Sequence, residues 1–298
     1  MPFDSVSVVV VTWNSASTIV DCLQPLAGQP DLELIVVDND SADDTLAVAR
    51  GVAPHATLLT TGGNCGFATG VNAGAEHATG DVLVLLNPDA VATAEGLRRL
   101  AACVRRGAAI AAPRITDERG TTTRSVRKRP TVRDQFVVAG GLHRLVDSLD
   151  PDDDDGASTT DAEMTVDVVS GACFATGLER FRELGGLDER FFLYAEEVDY
   201  CARVADAGGQ IVYDPQVAVA HIGGASAEQV ESGTDFLLME SRVRWFDKHR
   251  TPLATQAVRF ALAVWALRRR DRAALRAMAR PMARILEPTH PRADPTTV

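Results

Sequence analysis

The sequence predicts an α/β protein built on a mainly parallel sheet with helices on both of its faces. Two observations carry this prediction. Short apolar runs rich in β-branched residues recur along the N-terminal part of the chain, and each run ends in polar residues. Helix-like segments separate the runs in units of roughly 25 to 30 residues, the order typical of parallel strand–helix–strand units. Ligands bind to such sheets beyond the carboxyl ends of the strands.

The first unit begins with an almost wholly β-branched run at residues 6–11 (VSVVVV). A run of this kind is typical of a strand that is covered on both faces. A helix around residues 19–26 follows, and Ser15 or Ser17 is predicted to cap its first turn. The unit therefore supplies one strand and one covering helix.

The next units repeat this arrangement. A second strand is predicted at residues 34–37 (LIVV), a helix around residues 45–50 and a third strand at residues 55–59. The Gly/Ala-rich residues 66–77 predict a helix, and the apolar residues 82–86 predict a fourth strand. The carboxyl ends of these strands are expected to share one edge of the sheet.

The alternation ends after Pro113. Residues 124–133 are basic, and residues 147–155 form an acidic stretch that we predict to be a solvated loop. Later elements are predicted as a strand at residues 166–169, a helix at residues 178–184, and short strands at residues 211–213 and 217–220 that lead to His221.

Composition narrows the class of protein. The five cysteines are scattered and odd in number, without a CxxC pair, which argues against a disulfide framework or structural zinc site. The N-terminus has no basic region followed by a signal-length apolar run, and no segment reaches the roughly 18 apolar residues of a membrane span. We therefore expect a cytoplasmic protein, free or bound peripherally at the inner face of the plasma membrane.

The net charge of −11 is unevenly distributed. Residues 250–298 contain ten arginines and three acidic residues, a net charge of +7, so that residues 1–249 carry −18. Such an acidic body argues against nucleic acid as a partner, because the one basic segment within it lacks interleaved aromatic residues. The basic C-terminal end needs a separate explanation.

The C-terminal tail predicts an amphipathic helix at residues 260–286. Its apolar face is formed by Val264, Leu267, Leu275, Met278, Met282 and Ile285. Arginines recur at every fourth position beside that face: Arg268, Arg272, Arg276, Arg280 and Arg284. The pattern leaves two interpretations open, a helix packed on the acidic body or a helix lying in the headgroup layer of an anionic membrane.

Polar residues at predicted strand ends are the first candidate site residues. Asp38 and Asp89 each follow a buried run, where either one alone is adequately explained as a turn or capping residue. Two carboxylates at the same sheet edge, with a Gly-rich stretch between them, favour a ligand site instead. Asn64 and Asn72 are the polar exceptions within that stretch, whose small residues otherwise indicate close helix–sheet packing.

A second candidate group lies further along the chain. Glu196, Glu197 and Asp199 place three carboxylates within four residues, directly after the apolar run FFLY. Apolar surroundings raise the pKa of a carboxyl group and make its anion a better base. His221 follows a predicted strand; a lone histidine is more often structural, and its role as a ligand depends on its neighbours.

These segments together resemble the family 2 glycosyltransferases. The resemblance is carried, in order, by VVVVTWNS, VVDNDSADDT, NCGFATGVNAGAEHATGDVLVLLNPD, SGACF, GGLDERFFLYAEEVDYCARVADAG and His221-Ile222-Gly223-Gly224. It covers about residues 5–245, and the bacterial rhamnosyltransferase-like subgroup is the most similar in appearance. Some members of that subgroup extend a polyprenyl-diphosphate-linked N-acetylglucosamine.

The resemblance implies a GT-A fold, which is Rossmann-like, and inversion at the anomeric carbon of a nucleoside-diphosphate sugar, dTDP- or UDP-linked. It implies a divalent cation, Mg²⁺ or Mn²⁺, held by Asp89 and His221, with Asn87 in place of the first acid of the family's D-x-D motif. Glu197 stands where the family has its catalytic base, Glu196 is the reserve, and Asp199 is expected to orient the loop. The resemblance further assigns donor binding to Thr12, Asn14, Asp38, Asn64, Asn72, Asn87 and Asp89, and acceptor or phosphate binding to Arg127, Arg129 and Asp199.

On this basis residues 1–113 are expected to form a nucleotide-sugar-binding half, residues 114–249 the acceptor-binding and catalytic half, and residues 250–298 the tail. The expected donor is dTDP-L-rhamnose, and the expected acceptor is a glycan, a glycolipid or a small molecule such as a secondary metabolite. A sugar nucleotidyltransferase is a weaker alternative, because the loop TWNSAS after the first strand has no basic residue. An inactive sugar-nucleotide-binding module is another, disfavoured by the complete set Asp38, Asp89, Glu197 and His221.

Overall fold

The computed structural model describes residues 5–140, 157–222, 234–269 and 296–297. The described strands are β1 (Val6–Thr12), β2 (Leu32–Asp38), β3 (Thr57–Thr60), β4 (Val82–Leu86), β5 (Ala90–Val91), β6 (Ile110–Thr116), β7 (Val126–Arg127), β8 (Met164–Thr165), β9 (Val168–Val169), β10 (Cys173–Gly177), β11 (Ile211–His221) and β12 (Thr296–Thr297). The described helices are α1 (Ile19–Leu23), α2 (Thr45–Val52), α3 (Phe67–His77), α4 (Ala94–Arg105), α5 (Val132–Gly140), α6 (Leu178–Glu183), α7 (Glu196–Asp206), α8 (Thr234–His249) and α9 (Pro252–Arg269), with a 3₁₀ turn at Ala157–Thr159.

One mixed sheet connects nearly all of these strands, in the order β12-β3-β2-β1-β4-β10-β6-β11-β5, with β8 beside β11. The pairs β1–β2, β1–β4, β2–β3 and β6–β11 are parallel. β10 is antiparallel to both β4 and β6, so that β6 and β11 run in the same direction as β1. The carboxyl ends of β1, β2, β4 and β11 therefore lie along one edge of the sheet, as the sequence predicts.

Helices cover both faces of the sheet because successive side chains of a strand point to opposite sides. In β1, Val9 and Val11 belong to the core cluster that includes Val71 of α3. Val8 and Val10 belong to a second cluster, on the other face, with residues of α1 and α4. The predicted α/β class and the two-sided helix cover are confirmed.

The Gly-rich stretch owes much of its composition to close packing. A Cβ atom on Gly70 would lie 2.7 Å from a methyl carbon of Val11, and one on Gly74 would lie 2.5 Å from a methyl carbon of Val9. Contacts under 3 Å cannot be accommodated without movement of β1 or α3. The packing interpretation of this stretch is therefore correct for the buried side of α3.

The predicted N-cap of the first helix is wrong. α1 begins after Thr18, and no side chain caps it. Ser15 instead contributes its backbone carbonyl, which accepts hydrogen bonds from the N–H groups of Thr18 and Ile19. Leu26 lies beyond the end of this short helix but is fully buried. The chain therefore reaches the helix through a turn and not through a serine cap.

The second half contains more of the sheet than the sequence predicts. β6, β10 and α4 were not predicted, and the boundary after Pro113 lies inside β6. The two short strands predicted before His221 are one strand, β11, whose register shifts between Asp214 and Ala218 around Pro215. At that irregularity the buried Asp214 pairs with Arg99 of α4 at 2.6 Å, which explains how a polar interruption is tolerated inside a buried strand.

The C-terminal helices α8 and α9 complete the body. α9 buries Val258, Ala261, Leu262 and Ala266 in the same core cluster as Trp245 of α8. Residues 252–269 of the predicted tail thus pack on the body. The other residues of its predicted apolar face and arginine row lie outside the described residues: Leu275, Met278, Met282, Ile285, Arg272, Arg276, Arg280 and Arg284. The acidic stretch at residues 147–155 lies outside them as well. In the described part of the chain, no helix has the length and apolar content needed to cross a bilayer.

Candidate active site

A cavity of about 630 Å³ lies at the carboxyl edge of the sheet. One wall is formed by the residues that follow β1, β2 and β4, and the first turn of α7 forms a second wall. The third wall comes from α5 and α8, which lie far from the others in sequence. The cavity lies where polar strand ends were predicted to gather.

Asn87, Asp89 and His221 converge at one corner of this cavity. β4 ends at Leu86, and the N–H of Ala90 donates to the carbonyl of Asn87 at 3.1 Å, closing a turn with Pro88 at its second position. β11 pairs with β5 so that His221 lies opposite Ala90. As a result, His221 Nε2 lies 3.1 Å from Asp89 Oδ1 and 3.3 Å from Asn87 Nδ2.

The donor set at this corner fits a weakly held divalent cation. A carboxylate and an amide oxygen suit Mg²⁺ and Mn²⁺, and an imidazole nitrogen suits first-row transition metals. In the described ranges, no three His, Cys, Asp or Glu side chains are grouped closely enough to hold a metal unaided. An ion bound between Asp89 and His221 would therefore need oxygen ligands from a substrate or water.

The second wall of the cavity is the start of α7, which a strained turn positions. Tyr194 and Ala195 have φ angles of 71° and 68°, a left-handed conformation that residues other than glycine rarely adopt. The carbonyl of Phe192 accepts a hydrogen bond from the N–H of Phe67 at 2.9 Å. The same carbonyl lies so close to Gly66 that a residue with a Cβ atom would not fit at that position. This contact fixes the turn against the Gly-rich loop and directs the first residues of α7 to the cavity.

Glu196 and Glu197 both line the cavity and are both buried, but their surroundings differ. Arg127 Nη2 donates to Glu197 Oε1 at 2.6 Å. Glu196 Oε2 has no hydrogen-bond partner among the described residues. Burial raises the pKa of Glu196 well above its ordinary value, and the charge of Glu197 raises it further. The cavity thus presents one ion-paired carboxylate and one carboxyl group with a raised pKa.

The side of the cavity that was predicted to bind the sugar donor is built around Asp38. This buried carboxylate accepts hydrogen bonds from Thr12 Oγ1 at 2.7 Å, from Ser41 Oγ at 2.5 Å and from the N–H of Ser41 at 2.9 Å. Asp38 itself does not line the cavity, whereas Thr12, its neighbour Trp13 and Asn39 do. Asp38 therefore organises the loops on this side.

The other predicted donor residues lie in the same loops. Asn64 lines the cavity, and its side-chain oxygen accepts a hydrogen bond from the N–H of Gly66. Asn14 lies in the left-handed region, with φ at 49°, and its side-chain oxygen accepts a hydrogen bond from the N–H of Ala42 at 2.8 Å. Asn14 thus ties together the loops after β1 and β2 and lies outside the cavity lining.

The sequence of this chain is similar to a known protein family and to two characterised enzymes. The profile of glycosyl transferase family 2 matches residues 7–156, half of the chain. The chain belongs to this family. Among curated relatives, an N-acetylglucosaminyl-diphospho-decaprenol L-rhamnosyltransferase of Mycobacterium tuberculosis is 29% identical over 239 residues, covering 73% of this chain and 76% of the relative. A low-salt glycan biosynthesis hexosyltransferase of Haloferax volcanii is 27% identical over 207 residues, covering 67% and 61%.

Solved structures confirm the GT-A fold of this glycosyltransferase. GalNAc-T7 with UDP, GalNAc and Mn²⁺ superimposes with a TM-score of 0.59 at 17% identity, over 83% of this chain and 48% of that one. The mannosyltransferase PcManGT of Pyrobaculum calidifontis, in complex with GDP-Man and Mn²⁺, gives 0.56 at 21% identity, over 95% and 80%. At these identities the likeness concerns the fold alone.

Besides Asp38 and Asn14, three further predicted site residues of the glycosyltransferase have structural positions outside the cavity lining. Asn72 Nδ2 donates to the carbonyl of Leu187 at 2.8 Å, and its Oδ1 accepts from the N–H of Leu187 at 2.9 Å. Arg129 donates to the carbonyl of Ala202 and to Asp206, and so binds α7 from outside. The assignment of these two side chains to the donor and to the acceptor or phosphate is corrected on this ground.

Asp199 is the third. It is completely buried and contacts Arg203 at 2.8 Å, Lys248 at 2.7 Å and His249 at 2.7 Å. Burial by itself would raise the pKa of Asp199, but the hydrogen bond from His249 and the charge of Arg203 hold it below its ordinary value. Asp199 therefore links α7 to the end of α8 and is not available to a phosphate or acceptor.

Several lining residues of the glycosyltransferase were not predicted. They are Trp13, Asn39, Asp134, Gln135, Arg242, Trp245 and Phe246. Trp13 and Asn39 adjoin residues that were predicted, and the rule that ligands meet strand ends could have found them. The α5 and α8 residues carry no comparable signal, because a helical pattern does not reveal which element it packs against.

Proposed function

We propose that the protein is an inverting glycosyltransferase that moves a sugar from a dTDP- or UDP-linked donor to an acceptor hydroxyl. One observation carries the proposal. A single cavity contains, at one corner, Asn87, Asp89 and His221 and, on another wall, the buried carboxyl groups of Glu196 and Glu197. The first group suits a metal-bound diphosphate and the second suits removal of a proton, which are the two requirements of a direct displacement.

Glu197 is proposed as the general base. It accepts the proton of the acceptor hydroxyl while that oxygen bonds to the anomeric carbon, and the bond from this carbon to the diphosphate breaks with its electron pair on the departing oxygen. The ion pair with Arg127 at 2.6 Å keeps the side chain of Glu197 oriented before the acceptor arrives. Asp89 and His221 would hold a divalent cation, which would supply positive charge next to the leaving diphosphate. Glu196 is the alternative base.

The donor and acceptor are proposed from similarity. The similarity to the mycobacterial N-acetylglucosaminyl-diphospho-decaprenol L-rhamnosyltransferase supports L-rhamnose, from dTDP-L-rhamnose, as the sugar. It also supports a polyprenyl-diphosphate-linked saccharide of cell-envelope biosynthesis as the acceptor. This acceptor would place the protein in the cytoplasm, peripherally at the inner face of the plasma membrane. A soluble secondary metabolite is the competing acceptor.

The test is a transfer assay with Mn²⁺ and a panel of labelled dTDP-, UDP- and GDP-sugars. Each donor is offered a polyprenyl-diphosphate-linked N-acetylglucosamine and, separately, soluble glycosides. We expect transfer from dTDP-L-rhamnose to the lipid-linked acceptor with inverted anomeric configuration. Retention of configuration or release of a nucleoside triphosphate on adding pyrophosphate would overturn the proposal, and transfer only to soluble glycosides would overturn the lipid-linked acceptor.

A further inference from the structure

An apolar row lies on the outer surface of α9. Leu253 is 81% exposed, and Phe260 and Leu267 are each 64% exposed, more than any other large hydrophobic side chain in the described residues. They are seven residues apart, so that they lie nearly on one line along the helix, about 21 Å in total length. These three residues are called the outer row.

The opposite side of α9 is already covered. Val258, Ala261, Leu262 and Ala266 are buried in the core against α8. A helix at a protein surface normally presents polar residues outward, and one that is apolar on both sides is normally covered on both. The outer row therefore indicates a partner surface that the described residues do not supply.

Charge decides which partner fits. α9 contains Arg259, Arg268 and Arg269 and no acidic residue, on a protein whose residues 1–249 carry −18. Of these three, Arg268 is exposed on the helix surface, and a second copy docked through α9 would meet it with a helix that has no acidic counterpart. An anionic lipid surface offers both an apolar layer for the outer row and negative charge for Arg268.

We propose that the outer row docks the protein on an anionic membrane, with α9 lying in the plane of the headgroups. The neighbouring helix α5 extends this surface, because Arg268 Nη1 donates to the carbonyl of Ala139 at 3.0 Å and Phe136, one turn earlier, is 42% exposed.

Docking there would bring the cavity beside the lipid. Gln135 and Val138, on the same helix α5, line the cavity wall. A lipid-linked acceptor could then reach Glu197 without leaving the bilayer. That consequence rests on the proposed function, whereas the docking itself does not.

The experiment is flotation of the full-length protein with vesicles, without substrate. Vesicles of phosphatidylcholine are compared with vesicles of phosphatidylcholine and phosphatidylglycerol, at low and high salt. We expect binding to the anionic vesicles at low salt and its reduction by salt. The triple variant Leu253→Ser, Phe260→Ser, Leu267→Ser should bind at least about tenfold less. Met164→Ser, which alters an exposed hydrophobic residue of β8, should bind as the unaltered protein does.

Three results would overturn the proposal. The first is equal flotation of the unaltered protein with neutral and anionic vesicles, or none with either. The second is unchanged binding of the triple variant, which would assign binding elsewhere, including to residues 270–295. The third is a dimer in light scattering that the triple variant dissociates, which would make a second copy the partner. Transfer to a short-chain acceptor in detergent, measured separately, keeps failure of docking distinct from failure of the proposed function.

Discussion

Two adjacent carboxyl groups at the start of α7 have different chemistry because of their neighbours. Arg127 Nη2 lies 2.6 Å from Glu197 Oε1 and forms an ion pair with it. Glu196 is buried beside it without a hydrogen-bond partner for Oε2 in the described part of the chain, and burial followed by the charge of Glu197 raises its pKa. Glu197 is therefore held by an ion pair at the cavity wall, whereas Glu196 has a raised pKa that favours its neutral form.

Glu197→Gln should lower kcat by about 10²- to 10⁴-fold while leaving the donor dissociation constant nearly unchanged, because an amide keeps the shape but accepts no proton. The matched variant Glu196→Gln should retain most of the activity. Steady-state kinetics with isothermal titration of donor and Mn²⁺ would check both. If Glu196→Gln is the inactive variant, the two residues exchange roles.

Glu196→Gln should also change the pH dependence of stability. The pKa of such a carboxyl group is higher in the folded state than in the unfolded state. The protein therefore becomes less stable as the pH rises above the unfolded pKa, which is about 4.3 for glutamate. The variant should therefore be more stable than the unaltered protein at about pH 8 and equal to it near about pH 4. Thermal unfolding across this range measures the difference. A constant difference at all pH values would show that Glu196 does not titrate abnormally.

The proposed metal site at Asp89 and His221 gives a separate prediction. Asp89→Asn and His221→Ala should each raise the Mn²⁺ concentration for half-maximal activity by roughly 10- to 100-fold, since even the indirect partners of metal ligands have effects of that size. Asp117→Asn, in an exposed turn, serves as the control and should leave it unchanged. Full activity in excess EDTA would refute the role of a cation.

At this scale, position after a strand was the useful signal. It identified Asp89 and His221, whose side chains meet, and Asn64, which lines the cavity. It could not show that Asn72 points to Leu187 or that Asp199 is buried among cations, because side-chain direction depends on elements that are distant in sequence.

Among the elements, α9 shows which of the two interpretations of the C-terminal segment applies to residues 252–269, namely packing on the body. Its arginines and apolar residues fit a surface helix, but the chain continues from α8 into the core and buries one side of α9. The helical spacing of apolar residues shows that a helix has an apolar face, but it does not show which element covers that face. The same limit explains why the α5 and α8 walls of the cavity were missed, whereas the parallel strands, whose apolar runs are continuous, were predicted well.

Leu262→Ala should reduce the free energy of unfolding by about 2–4 kcal/mol, because it opens a cavity in the core. Leu267→Ala, the same substitution on the outer side of α9, should change it by less than about 0.5 kcal/mol. Urea unfolding of both variants compares them directly. Equal small effects would mean that α9 is not part of the folded core.

At the scale of the whole molecule, charged side chains join the end of α8 to α7 and to the loop before it. Lys248 Nζ lies 2.7 Å from both Asp188 and Asp199. Burial opposes the charged form of each carboxylate, but hydrogen bonds and nearby cations hold the pKa of both below the ordinary value. Such groups stabilise the fold above their unfolded pKa, and this stability is lost as pH falls through the folded values.

Lys248→Met should therefore lower the melting temperature by several degrees at neutral pH and move the midpoint of acid unfolding to higher pH. Arg106→Gln, which breaks the exposed pair with Glu163, is the control and should have almost no effect. Circular dichroism during heating and acid titration measures both quantities. An unchanged acid midpoint in Lys248→Met would show that Lys248 does not hold the two carboxylates in their charged form.

The closing of the cavity by α8 also has a consequence for biosynthesis. A ribosome delivers the chain from its N-terminus, so Asp89, Glu197 and His221 all emerge before Trp245 and Lys248. The incomplete chain would then carry every proposed reactive group while lacking the wall that α8 contributes and the cations that hold Asp199. Sugar transfer would begin only after translation has passed the last helices, and a prematurely terminated product would be inert.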